Sequence, residues 1–308
     1  MARHSALSLK APAKINWFLN ILGLRDDGFH EIQTLIQKIT FYDALTFTPS
    51  KDLTLKTDAS IPVERNLVYK AALLLKNTYG VKEGAVIQLD KNIPAGAGLG
   101  GGSSDAAAAL QGLNKLWSLN LAAAALCKIG EQLGSDVPFF LHGPLCLAGG
   151  RGEKIIPFKP GKTSSILLVK PPFDISTAWA YGEYRKDNRS PLTVDRPTVN
   201  GQRSTVKPEL TKKADKVDNI EFLVRKLERA EFKDLMTTVS NDLEPVVIKS
   251  FPVIAEIKDR LLEQGAVFSL MSGSGSTVYG VFNSAEDAGN ASAAFNGCRT
   301  VVVQTITD

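Results

Sequence analysis

Residues 94–110, "PAGAGLGGGSSDAAAAL", set Gly96, Gly98, Gly100, Gly101 and Gly102 ahead of Ser103, Ser104 and an alanine run. Backbone N–H groups can surround an oxyanion only where no side chain blocks the approach. A helix N-terminus adds N–H groups without partners and a positive dipole end. A glycine loop feeding a small-residue helix is therefore chemistry for holding phosphate. Three further stretches carry reactive groups. Lys14 and Asn16 stand two apart in an expected strand, hence on one face. Asp136, in "GSDVPFF", precedes a short helical turn, where a carboxylate serves either free N–H groups or a substrate hydroxyl. "SGSGS", Ser272 to Ser276, is a tight turn or a surface for close approach, with Gly273, Ser274 and Gly275 at its centre.

The glycine loop alone leaves several readings open. No lysine follows the glycines, so GxxxxGK[ST] is not matched. GxGxxG is matched by Gly96, Gly98 and Gly101, but "DKNIPA" separates the loop from its strand. No acidic residue on a second strand follows about twenty residues later, as dinucleotide binding requires. A glycine turn for close helix packing is the remaining structural alternative.

The elements that must position these groups follow from periodicity. Residues 7–22 alternate apolar and polar positions around Pro12 and predict one or two strands. "TLIQKITFYDALTFTPS" and "LTLKT" continue the strand pattern. Residues 66–80 predict a helix ended by a glycine, and "GAVIQLDKNIP" a strand. The glycine loop opens a helix from about Ser103 to Leu116, followed by a second helix, a helical turn at "SDVPFFLHG" and a hairpin at "PLCLAGGRGEKIIPF". A compositional break at 157–165 divides the chain into domains at 1–161 and 162–308. The second half begins with the strand "SILLVKP" and a short helix from Thr177. Residues 185–217 are polar, proline-dotted and aperiodic, which predicts a loop or insertion. Three helices and a strand–glycine turn–strand–helix–strand ending complete an α+β chain whose second domain is of split β-α-β type.

Pro94-x-x-x-Gly98-Leu99-Gly100-Gly101-Gly102-Ser103-Ser104 before a small-residue helix resembles the ATP loop of the GHMP kinases. "KAPAKINWFLNI" resembles that family's first motif, and "LMSGSGSTVYGVF" its C-terminal glycine motif. With "RDDGFHEI" and "GSDVPFF" in this order, the set resembles the branch whose acceptor is a cytidine diphosphate sugar alcohol. The resemblance covers nearly the whole chain except about 185–217. It implies an α+β two-domain GHMP kinase fold: an N-terminal ribosomal-protein-like left-handed β-α-β domain and a C-terminal ferredoxin-like split β-α-β domain. The activity it implies is direct, in-line phosphoryl transfer from ATP to an alcohol. Residues 94–104 would lie over the nucleotide phosphates, Asp136 would act as the base, and Lys14 would keep that carboxylate ionised. Asn16 would bind the substrate, His30 would hydrogen-bond the cytosine, and Phe29 would stack on it where tyrosine is commoner. Tyr181 is the candidate for the second ring, with Trp179 competing and Thr177 nearby. Gly273 and Ser274 would abut the phosphate loop or the substrate. Mg²⁺ is expected. Its protein ligand is left unnamed, because Gly101 and Gly102 stand where several relatives have serine.

The bulk properties fit a small-molecule enzyme. The chain has 308 residues, 44% apolar and 22% charged, with a net charge of +4. That balance agrees with anionic small ligands and falls short of the basic excess of a nucleic-acid binder. Cys127, Cys146 and Cys298 lack CxxC spacing and predict reduced thiols, neither a disulfide frame nor a zinc site. No run of eighteen apolar residues and no signal-like N-terminus are present, so the expectation is a cytoplasmic protein, monomer or homodimer, without membrane partner.

Overall fold

The structure, a computed structural model, describes residues 6–58, 61–187, 219–229, 231–232, 235 and 239–308. The polar stretch expected as a loop lies outside them from 188 onward, and its first residues, 185–187, belong to a helix instead.

Two long strands dominate the N-terminal half. β1 (Leu7–Leu24) pairs antiparallel with β2 (His30–Ser50), and the pairing shifts at Pro12/Ala13, Asn16/Phe18 and Ile21/Gly23. Pro12 has no N–H for the ladder, so its place at a register shift lets one strand run through where the sequence left two open. Register shifts also free backbone donors on β1: Lys14 N–H leaves the ladder for the Leu99 carbonyl at 3.0 Å. β3 (Thr54–Thr57) runs parallel to β4 (Gly84–Asp90), with α1 (Leu67–Tyr79) in the connection between them. Asn66 caps α1 by accepting from Val68 N at 2.9 Å, and Gly80 ends it in the left-handed region.

The sheet reads β3-β4-β2-β5-β6, with β5 (Leu145–Gly150) and β6 (Lys154–Phe158) forming the expected hairpin and β1 lying on β2. α2 (Gly101–Leu116), α3 (Ala123–Leu133) and the short α4 (Val137–Phe140) cover it. α2 starts two residues before the predicted Ser103. Its alanines bring it close to the sheet, and at Gly112 a Cβ would come within 2.4 Å of the Phe47 ring.

The C-terminal sheet has the order β10-β7-β9-β8, built from β7 (Ser165–Lys170), β8 (Phe268–Met271), β9 (Val278–Phe282) and β10 (Arg299–Gln304). All neighbours are antiparallel, and the order is that of a split β-α-β unit. α5 (Thr177–Asp187), α6 (Asn219–Arg229), α7 (Glu244–Ser250), α8 (Val253–Glu263) and α9 (Ala285–Ser292) accompany it. One buried cluster joins the two sheets: Ala13, Ile15 and Trp17 of β1 pack with Ile166, Leu168, Phe268 and Tyr279. Trp17 donates to Gln37 Oε1 at 2.7 Å, and Tyr279 donates its hydroxyl proton to the Asn16 carbonyl at 2.9 Å. Strand β1 is thereby fixed from both sides. Among the described residues, no helix is long and apolar enough to cross a membrane.

Candidate active site

The glycine loop adopts a conformation that its sequence requires. Gly96, Gly98 and Gly100 have φ of 59°, 73° and 72°, a region costly for residues with a Cβ. Four successive carbonyls are occupied by protein donors: Gly96 by Ile175 N (3.2 Å), Ala97 by Thr277 N (3.2 Å), Gly98 by Ser272 Oγ (2.9 Å) and Leu99 by Lys14 N (3.0 Å). Gly100 is the N-cap of α2 and offers no side chain, so the first-turn N–H groups of α2 stay available at the cavity. The loop presents donors and keeps its own acceptors engaged, which is what binding a polyanion demands.

The loop forms one wall of an open cavity of about 810 Å³. Pro94, Gly96, Gly98, Leu99 and Gly100 to Ser103 line it. Ser104 does not: it is buried, and its hydroxyl has no hydrogen-bond partner among the described residues. The "SGSGS" turn is seated on the loop itself. A Cβ at Gly98 would lie 2.0 Å from the Ser272 carbonyl oxygen, and one at Gly273 would lie 3.0 Å from Lys14 Nζ.

Lys14 and Asn16 face the cavity from β1, as their spacing predicts. Lys14 Nζ donates to Asn16 Oδ1 at 2.5 Å, Asn16 Nδ2 donates to Thr34 Oγ1 at 2.8 Å, and Thr34 donates to the Phe18 carbonyl. Burial pushes the Lys14 ammonium below the usual lysine range, and attraction to the Asp136 carboxylate opposes that push. Asp136 is half-buried and lines the same cavity. It precedes α4 without capping it by a side-chain hydrogen bond. A carboxylate that declines the cap and pairs electrostatically with a buried lysine is equipped to accept a proton from, or orient, an alcohol.

The far end of the cavity is aromatic. His30 is 8% exposed and stacks on Tyr181 with centroids 5.2 Å apart and planes at 28°, while Tyr184 meets it edge-on. Burial, then the nearby Arg185 charge, lowers the His30 pKa, so the ring is neutral at pH 7 with one donor and one acceptor nitrogen. Phe29 is 52% exposed, beside the cavity. Of the two rings that competed in the sequence, Tyr181 lines the cavity, whereas Trp179 packs against Phe251. Thr177 Oγ1 and Ser274 Oγ lie 3.0 Å apart at its edge.

Two groups of residues have no motif to announce them. Asn241, 2% exposed, donates from Nδ2 to the Met271 and Gly273 carbonyls at 2.9 and 2.7 Å, and accepts from Leu243 N at 3.0 Å. Glu244 accepts from Met271 N at 2.7 Å. Leu19 of β1 and the segment around Asn241 are joined through their backbones: Leu19 N donates to Ser240 O at 2.9 Å, and Asp242 N donates to Leu19 O at 2.8 Å. Segment 240–244 thus ties β1 to the glycine turn. Below the phosphate loop, Lys91 pairs with Asp43 and, at 2.7 Å, with Asp105. Asp43, fully buried, also accepts from Ile93 N at 2.8 Å. Burial pushes the Asp105 carboxyl up to about 7, against the pull of Lys91.

The chain is similar to known proteins along nearly its whole length. The GHMP kinases N terminal domain matches residues 66–144, and the GHMP kinases C terminal domain matches residues 223–298. A 4-diphosphocytidyl-2-C-methyl-D-erythritol kinase of Thermodesulfovibrio yellowstonii is 45% identical, over 98% of this chain and 99% of its own. One of Pelotomaculum thermopropionicum is 42% identical over 90% of each. A crystal structure of 4-(cytidine 5'-diphospho)-2C-methyl-D-erythritol kinase superposes with a TM-score of 0.76 at 30% identity, covering 97% of this chain and 99% of that one. With this fold and these relatives along nearly its whole length, the chain belongs to the GHMP kinases, small-molecule kinases that use ATP, and within them to the 4-diphosphocytidyl-2-C-methyl-D-erythritol kinases.

Proposed function

We propose that the protein phosphorylates the 2-hydroxyl of 4-diphosphocytidyl-2-C-methyl-D-erythritol at the expense of ATP, a step of non-mevalonate isoprenoid precursor synthesis. The observation that carries this reading is a single cavity that holds a donor-only glycine loop, the Lys14–Asp136 pair and the His30–Tyr181 aromatic end. The N–H groups of the loop and of the first turn of α2 bind the nucleotide phosphates and hold the transferring group in line. Asp136 accepts or orients the acceptor hydroxyl proton. Lys14 sets a positive charge beside that carboxylate and, through Asn16 and Thr34, is held in one place. His30 reads the cytosine edge with one donor and one acceptor, and Phe29 and Tyr181 supply faces for the base.

The residues present fit Mg²⁺ as an ion held chiefly by phosphate oxygens. Among the described residues no group of three or more His, Cys, Asp or Glu side chains could hold a metal alone. Ser103 Oγ points toward the loop that carries Asp136, 3.9 Å from where a Gly134 Cβ would lie, and with Asp136 offers the hard oxygen donors. Ser103 and Asp136 would hold the ion, and the chemistry it would supply there is neutralisation of charge that develops on the transferring phosphate. A cytoplasmic location, a monomer or homodimer, and the domain division at 161/162 belong to the same proposal. The change of sheet between β6 and β7 supports that division.

The test is ADP release by the purified protein with the cytidylyl substrate, mevalonate, homoserine and galactose side by side. Turnover of the cytidylyl substrate above the others is expected. Turnover of another alcohol alone would overturn the substrate and leave the kinase family standing.

A further inference from the structure

The cavity has a phosphate end and an aromatic end, and the wall between them is basic. The turn joining β5 to β6 forms part of that wall. At Gly152 a Cβ would lie 3.4 Å from Ser135 Cβ and 3.6 Å from Asp136 Oδ1, so this residue sits against the catalytic carboxylate. Its neighbour Arg151 places its guanidinium 4.9 Å above the Phe29 ring. One step of chain therefore spans the distance from Asp136 to the base-binding ring. From a second element, α5, comes Arg185, one turn beyond Tyr181. Arg185 Nη2 donates to the Gly28 carbonyl at 2.7 Å, and its Nε is buried without a hydrogen-bond partner among the described residues. Both arginines line the cavity and hold consecutive residues, 28 and 29, from different elements.

Among the described residues, neither cation is neutralised by a tight carboxylate contact. Glu153 approaches Arg151 Nε only to 4.0 Å, and Arg185 is held by a carbonyl. Asp27 of the β1–β2 turn and Glu31 of β2 are engaged by Arg25 at 3.2 and 2.6 Å. A buried guanidinium N–H without an acceptor costs free energy unless a ligand supplies one. A substrate that joins a base at one end to a reacting alcohol at the other carries its diphosphate between them.

We propose that Arg151 and Arg185 form the subsite for the diphosphate of the acceptor substrate. This rests on the function proposed above, which supplies the base at His30 and the alcohol at Asp136. Planar guanidinium groups suit phosphate oxygens because two N–H donors meet two acceptors. They also give the active site a way to favour a nucleoside diphosphate conjugate over a bare polyol.

Calorimetric titration of cytidine and cytidine diphosphate, with saturating ADP filling the phosphate loop, tests this on the wild type, Arg151→Gln, Arg185→Gln and the double variant. The wild type should bind the diphosphate about a hundredfold more tightly than cytidine, and each substitution should remove roughly tenfold of that preference, the size of one charge-assisted hydrogen bond. Cytidine affinity should change much less than cytidine diphosphate affinity in each variant. Arg151→Lys and Arg185→Lys, which keep the charge without the fork, should retain part of the preference. A wild-type preference that survives in the double variant overturns the subsite while leaving the base cleft intact. Failure of the wild type to bind either compound overturns the function proposed above, and the subsite with it.

Discussion

Replacing Gly98 by alanine probes how the two halves of the site are locked together. The new Cβ would sit 2.0 Å from the Ser272 carbonyl oxygen and 2.9 Å from that of Gly275, so the turn must retreat by more than an ångström to restore ordinary contact. Gly98 also has φ of 73°. Holding alanine there costs about 1–2 kcal/mol, and overpacking adds about 1–3 kcal/mol. Together these predict a loss of roughly 2–5 kcal/mol and a fall in Tm on the order of 5–10 °C. The displaced turn carries Gly273, beside Lys14, so kcat/KM should drop by about a hundredfold, the usual result of an ångström misplacement. Gly102→Ala is the stability control. Gly102 lies within α2, and its Cβ would make only an ordinary 3.6 Å contact with Leu67, so helix propensity favours alanine by up to about 1 kcal/mol. Thermal unfolding of both variants and steady-state ADP release by Gly98→Ala would decide the matter. A Gly98→Ala protein with wild-type Tm and kcat/KM would refute the seating of the turn on the loop.

Other expectations follow from the same geometry. Asn241→Ala strips partners from two carbonyls and one N–H, at a cost of about 3–5 kcal/mol, and should lower both Tm and kcat; a wild-type melting curve would contradict it. Asp105 binds its proton more tightly when folded, since its carboxyl is raised to about 7. Its contribution to stability is therefore present below the unfolded value of about 4 and lost as pH rises to about 7. Between those limits, Tm of the metal-free wild type should fall more steeply with pH than Tm of Asp105→Asn, and parallel profiles would refute the assignment. His30→Ala should mainly raise KM for the cytidylyl substrate. A change in Tm with KM untouched would make His30 a packing residue.

The glycine loop was legible because its demand is local: positive φ and open N–H groups can be met only by residues without side chains. The pairing of Lys14 with Asn16 was legible from the two-residue period of a strand. The split β-α-β type of the second domain was legible in the order of its elements. Asn241 was invisible because its amide bonds Met271 and Gly273, residues about thirty positions away, and a lone asparagine carries no periodic signal. The Asp43–Lys91–Asp105 group was hidden for the same reason, its three members coming from β2, the end of β4 and α2. The sequence left Tyr181 and Trp179 in competition, since helical spacing alone does not say which ring faces a cavity and which faces Phe251. The continuity of β1 through Pro12 was obscured by the proline itself, which only a register shift reconciles with pairing.

The central claim is that phosphoryl transfer is managed at Asp136 beside Lys14, on the rim of the glycine loop. Single-turnover phosphorylation of the cytidylyl substrate by Asp136→Asn, with ATP affinity measured on the same protein, tests it most directly. The substitution keeps shape and removes the proton acceptor, so the rate should fall by about 10²–10⁴-fold while ATP affinity stays near wild type. A rate close to wild type would reduce Asp136 to a bystander at the start of α4 and contradict the account.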